Sequence, residues 1–356
     1  MFANIADAVP RLKRWIPRLR GKRIGVLGDV MLDRYLWGTA SRLSPEAAVP
    51  VVDFAEQSEC LGGAGNVAAN IAALGARVEA FGVTGKDEPG QALQKCFRAA
   101  NISEKGIIAD VKRVTTVKTR IIARHQQVVR VDRERREPLR AETQEKLLRL
   151  LFTALKKLDA LVLSDYDKGL ISNDFADRVL SAAHKNKVPV FVGLKRQPHG
   201  YRGAFLVACN LEEASFLVHR QLIDEQSVEE AGRALLAHFG SSAIVITRSE
   251  KGMSVFEESS PRQTHIRATG SDATYARLGQ LGTDLRTTGR QVLDRTGAGD
   301  TVLSVLALAI AAGASLADAA MLANIAAGVV VGKLGTASVS AQELAHALED
   351  IRRQPD

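Results

Sequence analysis

An α/β fold with a mainly parallel central sheet covered by helices on both faces is predicted by three features of the 356-residue chain. Short apolar runs end in polar tips: Arg23-Ile24-Gly25-Val26-Leu27-Gly28-Asp29, Ala160-Leu161-Val162-Leu163-Ser164-Asp165, Val188-Pro189-Val190-Phe191-Val192-Gly193 and Ala243-Ile244-Val245-Ile246-Thr247-Arg248. Between them lie the stretches 142–157, 174–186 and 227–239, whose apolar residues recur at helical three and four spacing. Strands without a polar face, alternating with helices, indicate a sheet buried on both sides. On such sheets ligands sit beyond the carboxyl ends of the strands, where these polar tips gather.

Two segments break the rhythm. Residues 35–56 and 107–132 are rich in Val, Ile and Thr with partly alternating polarity, and read as antiparallel strands outside the main sheet. They suit a lid over a ligand site or a dimer contact, with plain surface hairpins as the alternative. The polar stretch 265–291 reads as a surface excursion. Residues 133–140, six of them charged around Pro138, read as a solvated connection, with phosphate binding as the minor alternative.

Composition narrows the class. A chain 46% hydrophobic and 25% charged builds one large or two medium domains and is neither disordered nor collagenous. Cys60, Cys96 and Cys209 form no CxxC pair, so neither a disulfide framework nor a thiolate zinc site is indicated, and a reducing, cytoplasmic compartment is expected. Residues 1–21 read as a basic helical lead-in without a signal-peptide core. The apolar region 302–331 is broken by Gly313, Ser315, Asp318 and Asn324, which favours two buried helices over a membrane span. A net charge of +8 suits an anionic ligand, while an aromatic content of 5% argues against a nucleic-acid surface. The seven histidines lack ligand spacing, and no GxSxG elbow is present.

The strongest chemical signal is Asp294-Arg295-Thr296-Gly297-Ala298-Gly299-Asp300-Thr301, directly ahead of an apolar helix. Small residues at a helix start leave backbone N–H groups open to an anion, and the helix dipole favours negative charge there. Asp300 in that turn suits a base for an attacking hydroxyl in phosphoryl transfer, or an ordinary capping side chain. The second signal is Leu61-Gly62-Gly63-Ala64-Gly65-Asn66, where glycines admit a ligand to the backbone and Asn66 offers both donor and acceptor to a polyol. Neither turn follows GxxxxGK[ST], and GxGxxG is missing after Val26, which disfavours P-loop and dinucleotide folds.

In order and separation, these two glycine turns resemble the signatures of the ribokinase-like (phosphofructokinase type B) carbohydrate kinases, and the resemblance spans about residues 22–347. Longer segments are most similar to family members that phosphorylate C1 of heptose 7-phosphate: 28–35, 41–47, Lys118-Thr119-Arg120, Ser164-Asp165-Tyr166-Asp167-Lys168-Gly169, 247–253 and 329–336. The resemblance implies a three-layer α/β/α kinase domain over 22–350 with a small β lid, using ATP and Mg2+. It makes Asp300 the base, with Gly297, Ala298 and Gly299 as the anion hole. Asp29, Gly63 and Asn66 would hold sugar hydroxyls; Asp33 is open between joining them and a structural turn contact. Asn210 and Glu213 would order magnesium and the nucleotide phosphates. Thr247, Arg248 and Gly252 would line the nucleotide pocket, with Asn324 and Gly328 on the helix that closes over adenine. Arg42, Lys118, Arg120, Lys168 and Lys195 are the candidates for a substrate phosphate.

The expected partners are a small sugar or sugar phosphate and a second copy joined through the lid, with no nucleic acid and no membrane. Three departures stand out. Gly193-Leu194-Lys195 replaces the Asp-Pro-Lys usual in close relatives, Val207-Ala208-Cys209 precedes Asn210 where Thr-Pro is familiar, and 265–291 is long. No His-x-Gly-His signature of a nucleotidyltransferase occurs, so that second activity is not expected here.

Overall fold

The sheet that carries the site has the strand order β13-β12-β11-β10-β9-β8-β1-β4-β5 in the computed structural model, which describes residues 5–124, 126–195, 200–260, 263–266, 296–333 and 335–353. Its strands are β1 (Arg23–Gly28), β4 (Arg77–Gly85), β5 (Ser103–Asp110), β8 (Ala160–Ser164), β9 (Val190–Gly193), β10 (Leu206–Asn210), β11 (Ala243–Thr247), β12 (Met253–Glu257) and β13 (Thr264–Ile266). All pairings from β5 to β11 are parallel, and β12 and β13 add antiparallel strands at one edge.

Alternation along each central strand explains the layers. Ile24, Val26, Ala160, Val162, Ala243 and Val245 face one core, while Leu27, Leu161, Leu163, Ile244 and Ile246 face the other. The first core is closed by α1 (Ile5–Lys13), α2 (Ile16–Leu19), α3 (Ala64–Ala73), α4 (Glu88–Ala99), α9 (Ala298–Ala311), α10 (Leu316–Val331) and α11 (Ala341–Arg353). The second is closed by α5 (Ala141–Leu155), α6 (Asn173–Lys185), α7 (Leu211–Leu217) and α8 (Glu225–Phe239). The three-layer α/β/α prediction is borne out. The apolar region 302–331 forms two buried helices parted at Gly313, whose φ of +96° suits glycine. Among the described residues no helix is long and apolar enough to cross a membrane.

The lead-in is helical and tied down. Buried Asp318 on α10 accepts from Arg11 Nε at 2.8 Å and Trp15 Nε1 at 3.0 Å.

After β1 the chain leaves the main sheet. Strands β2 (Val30–Leu43), β3 (Pro50–Gly63), β6 (Thr116–Ala123) and β7 (Gln126–Arg133) form a second sheet in the order β3-β2-β6-β7. The structure differs here from the sequence reading in two ways. Residues 107–110 belong to β5, an edge strand of the main sheet, and β2 pairs with β6 in parallel. Of the expected excursion 265–291, His265 and Ile266 lie in β13, and the remainder falls outside the described residues.

The first crossover places the switch point between β1 and β8, since the chain runs from β1 to β4 and β5 on one side and returns to β8 on the other. Gly63 lets the lid rejoin the domain there. Its φ is +56°, and a Cβ would stand 2.5 Å from both the Asp29 carbonyl oxygen and Met31 Cε. Gly63→Ala is expected to lower stability by about 1–3 kcal/mol. That is more than Gly240→Ala, where φ is +54° but space is open. Urea midpoints of the two variants check this.

Candidate active site

The carboxyl ends of β1, β8, β9 and β10 deliver the polar groups, as expected for a sheet of this kind. A cavity of about 530 Å³ lies there, walled by residues from the lid, the ends of β8 and β9, the start of α9 and the loop at Thr336. Asp300, Gly63, Lys118, Arg120, Lys168, Lys195 and Gly297 all line it, so seven of the predicted site residues are brought together.

Asp300 is half-buried at the third position of α9 and does not cap its own helix. Its Oδ2 accepts from Asn66 Nδ2 at 2.8 Å, and its Oδ1 accepts from the Tyr166 hydroxyl at 2.5 Å. Burial pushes its carboxyl up, while Lys195, Tyr166 and Asn66 favour the charged form. Behind it runs a buried chain: Asn70 Nδ2 donates to Asn66 Oδ1 at 3.1 Å, and Thr301 Oγ1 donates to Asn70 Oδ1 at 3.1 Å. The helix start is left-handed at Gly297, φ +85°, where a Cβ would stand 2.8 Å from Asn66 Nδ2. Among the described residues no side chain caps α9, so its first N–H groups, beginning at Ala298 and the exposed Gly299, are open to an anion. Asp294 and Arg295 lie outside the described residues.

The cavity is strongly basic. Lys118, Arg120, Arg130, Arg136, Lys168 and Lys195 line it against three acids, Asp33, Asp167 and Asp300. Arg120 is buried, 3.0 Å from Asp33 Oδ1, with its guanidinium over the Tyr35 ring. Asp33 also accepts from Thr336 Oγ1 at 2.6 Å, which joins the C-terminal loop to the lid. Lys168 Nζ donates to Glu134 at 2.8 Å, and Arg136 donates to the same carboxylate at 3.2 Å. The segment 133–140 is therefore more than a solvated connection. Arg130, Arg136, Tyr166, Asp167, Thr296 and Thr336 are the wall residues to which sequence reasoning gave no role of their own; Tyr166, Asp167 and Thr336 lie in matched segments, Thr296 in the glycine turn and Arg136 in the charged run 133–140, whereas Arg130 carried no local signal.

Lys195 has its Nζ 3.2 Å from Glu213 and 5.0 Å from the Tyr166 ring centroid. Burial presses its pKa down, but Glu213 and Asp300 outweigh that and leave it raised. Asn210 and Glu213 form a reciprocal capping box at α7, each accepting the other's N–H at 2.7 Å. Burial raises the Glu213 carboxyl against the pull of Lys195. Among the described residues no three His, Cys, Asp or Glu side chains gather to hold a metal by themselves.

A second cavity of about 600 Å³ is lined by Asn210, Thr247 and Arg248 together with residues of 211–228 and 249–251. The Arg248 guanidinium is held by Glu225 at 2.5 and 2.7 Å. Gly252, at φ +85°, closes the turn after Arg248 without lining the cavity, and Asn324 and Gly328 are buried on α10 and line neither cavity.

Three other predicted residues stand away from the cavity wall. Arg42 is exposed near the far end of β2. Asn66 sits behind Asp300, its amide committed to Asp300 and Asn70. Asp29 is buried, and its Oδ2 accepts the backbone N–H groups of Tyr166 at 2.9 Å and Lys168 at 3.2 Å. Gly193, which replaces the usual acid, faces α9: a Cβ there would stand 2.5 Å from Leu303 Cδ2. The place of a carboxylate is thus filled by an apolar contact.

A ribokinase-like fold with an open helix start, a buttressed carboxylate and a basic cavity defines a sugar kinase. The pfkB family carbohydrate kinase model matches residues 22–343, and the chain belongs to that family, whose members are ATP-dependent. It is 43% identical over 320 residues to the bifunctional protein HldE of Geobacter metallireducens, covering 90% of this chain and 61% of that one. It is 40% identical over 336 residues to the bifunctional protein HldE of Nitratiruptor sp., covering 94% and 66%. The chain therefore spans about two thirds or less of the length of these relatives. Arabidopsis thaliana ribokinase complexed with ribose and ATP matches in fold at a TM-score of 0.67 and 16% identity, covering 94% of this chain and all of that one. Escherichia coli phosphofructokinase-2 in complex with fructose-6-phosphate matches at a TM-score of 0.68 and 16% identity over the same shares.

The buried Asp29 sets a pH dependence. Burial, with Asp165 nearby, pushes its carboxyl up from 3.8 to about 6 despite two backbone donors. Between those values the folded chain binds a proton that the unfolded chain lacks, so this contribution to stability is full below the lower value and is lost as pH rises through the upper one. Its size is of order 3 kcal/mol. Asp29→Asn should remove it: the stability of the parent chain relative to the variant is expected to fall between about pH 4 and about pH 7, as read by denaturant titrations at each pH.

Proposed function

We propose that this chain transfers the γ-phosphate of ATP to the C1 hydroxyl of D-glycero-D-manno-heptose 7-phosphate. The observation that carries the reading is one cavity holding both a buttressed carboxylate beside an open helix start and a cluster of six cations. A neutral sugar needs no such cluster; a substrate with its own phosphate does. Similarity to proteins named HldE over the matched length supports the same substrate.

In this reading Asp300 accepts the proton of the acceptor hydroxyl as its oxygen attacks the γ-phosphorus in line, and ADP leaves. The backbone of Gly297, Ala298 and Gly299 receives the developing charge, with Lys195 as a point charge beside it. Arg120, buried and planar, clamps the substrate phosphate, while Lys118, Lys168, Arg130 and Arg136 neutralise it. Gly63 and Asp33 face the sugar from the lid junction, and Asn66 and Asp29 act through Asp300 and the Tyr166 loop. Thr247 and the turn through Arg248 and Gly252 would border the nucleotide, with Asn324 and Gly328 on the helix beyond. Bound magnesium would neutralise phosphate oxygens and be held by Asn210 and Glu213, a single-carboxylate oxygen donor set that suits a cation retaining water. The lid leaves Leu43, Phe54, Val129 and Val131 exposed, which supports a homodimer through this sheet; Arg42 lies on the same sheet and is assigned there, away from the phosphate.

ADP release should be measured with heptose 7-phosphate, heptose, fructose 6-phosphate, ribose and adenosine. Turnover is expected on heptose 7-phosphate, and Asp300→Asn should lower kcat by about 10³-fold or more. Lys168→Met should raise KM for the phosphorylated sugar about tenfold or more with kcat less affected. Preferred turnover on an unphosphorylated sugar would sink the assignment.

A further inference from the structure

Tyr166 meets three parts of the site at once. Its hydroxyl donates to Asp300 Oδ1 at 2.5 Å, its ring carries Lys195 Nζ at 5.0 Å, and its backbone N–H is pinned by buried Asp29 at 2.9 Å. We propose that Tyr166 is a positioning residue for phosphoryl transfer, its hydroxyl holding the Asp300 carboxylate toward the cavity and its ring seating Lys195 against Glu213. The inference rests on Asp300 being the base.

A carboxylate turns readily about its terminal torsion unless both oxygens are anchored. Here the anchors come from different elements, Asn66 on α3 for Oδ2 and Tyr166 after β8 for Oδ1. With both engaged, the remaining lone pairs have a fixed direction, which a near-attack geometry requires. Burial and the neighbouring Asp300 push the Tyr166 phenol well above its usual range, so it stays a donor throughout the working pH. The titratable groups acting on Asp300 are Lys195 beyond β9, the neutral Tyr166 beyond β8 and Asp33 on β2, with Glu213 beyond Lys195. Loss of the phenol removes a donor that favours the carboxylate, so the Asp300 titration moves upward.

The test is the pH profile of kcat/KM for Tyr166→Phe, Tyr166→Leu and Asp300→Asn, with thermal melts alongside. Tyr166→Phe keeps the ring and is expected to fold, to lose about tenfold or more in kcat with KM for ATP within about twofold, and to show its acidic limb at higher pH. Tyr166→Leu should also raise KM for ATP, because Lys195 loses its seat. A phenylalanine variant with unchanged or raised kcat, or with reduced kcat and an unmoved acidic limb, overturns the proposal. Asp300→Asn retaining turnover would instead remove the base on which it rests.

Discussion

The buried carboxylate of Asp29 is the joint on which the site is assembled. Its backbone N–H donates to Ser164 at the end of β8, its carbonyl accepts from Ala64 at the start of α3, and its side chain gathers the N–H groups of Tyr166 and Lys168. One residue thus ties the central strand, the helix behind the lid and the loop that brings both Tyr166 and Lys168 to the cavity. Burying an anion there is costly, and two backbone donors offset only part of the penalty. The same side chain is therefore both a fixing point and a source of strain.

Most of the main sheet was legible because central strands buried on both faces leave uninterrupted apolar runs, and the helices between them keep one apolar stripe. The edge was not. β5 is half-exposed, so its partly alternating polarity resembles that of a lid strand. The pairing of β2 with β6 joins residues 85 positions apart, a register that no local pattern records. In the site, the glycine turns were legible because their backbone requirements are local. Tyr166 reaches Asp300 across 134 positions, and Arg136 looked like one charge in a solvated run until the fold turned it into the cavity wall.

Family resemblance also assigned roles that the packing distributes differently. Asn66 is committed to Asp300 and to Asn70, whose partner Thr301 returns the chain of hydrogen bonds to α9. The glycine turn of α3 and that of α9 are therefore one mechanical unit, with Gly297 small enough to admit the Asn66 amide. The Gly193 substitution belongs to the same logic: the volume released on β9 is taken by Leu303 of α9, which puts close packing where a charge would stand.

The lid carries an optical consequence of its construction. The chain has two tryptophans, and neither lies in the main sheet. Trp15 ties the lead-in to Asp318, whereas Trp37 sits on β2, stacked on Tyr35 with ring centroids 5.9 Å apart. Tyr35 in turn touches Arg120 on the neighbouring lid strand and Thr336, the contact that joins lid to domain. Intrinsic indole emission from Trp37 therefore samples the lid junction without a label, and replacing Trp15 by Phe would isolate that signal for stopped-flow work.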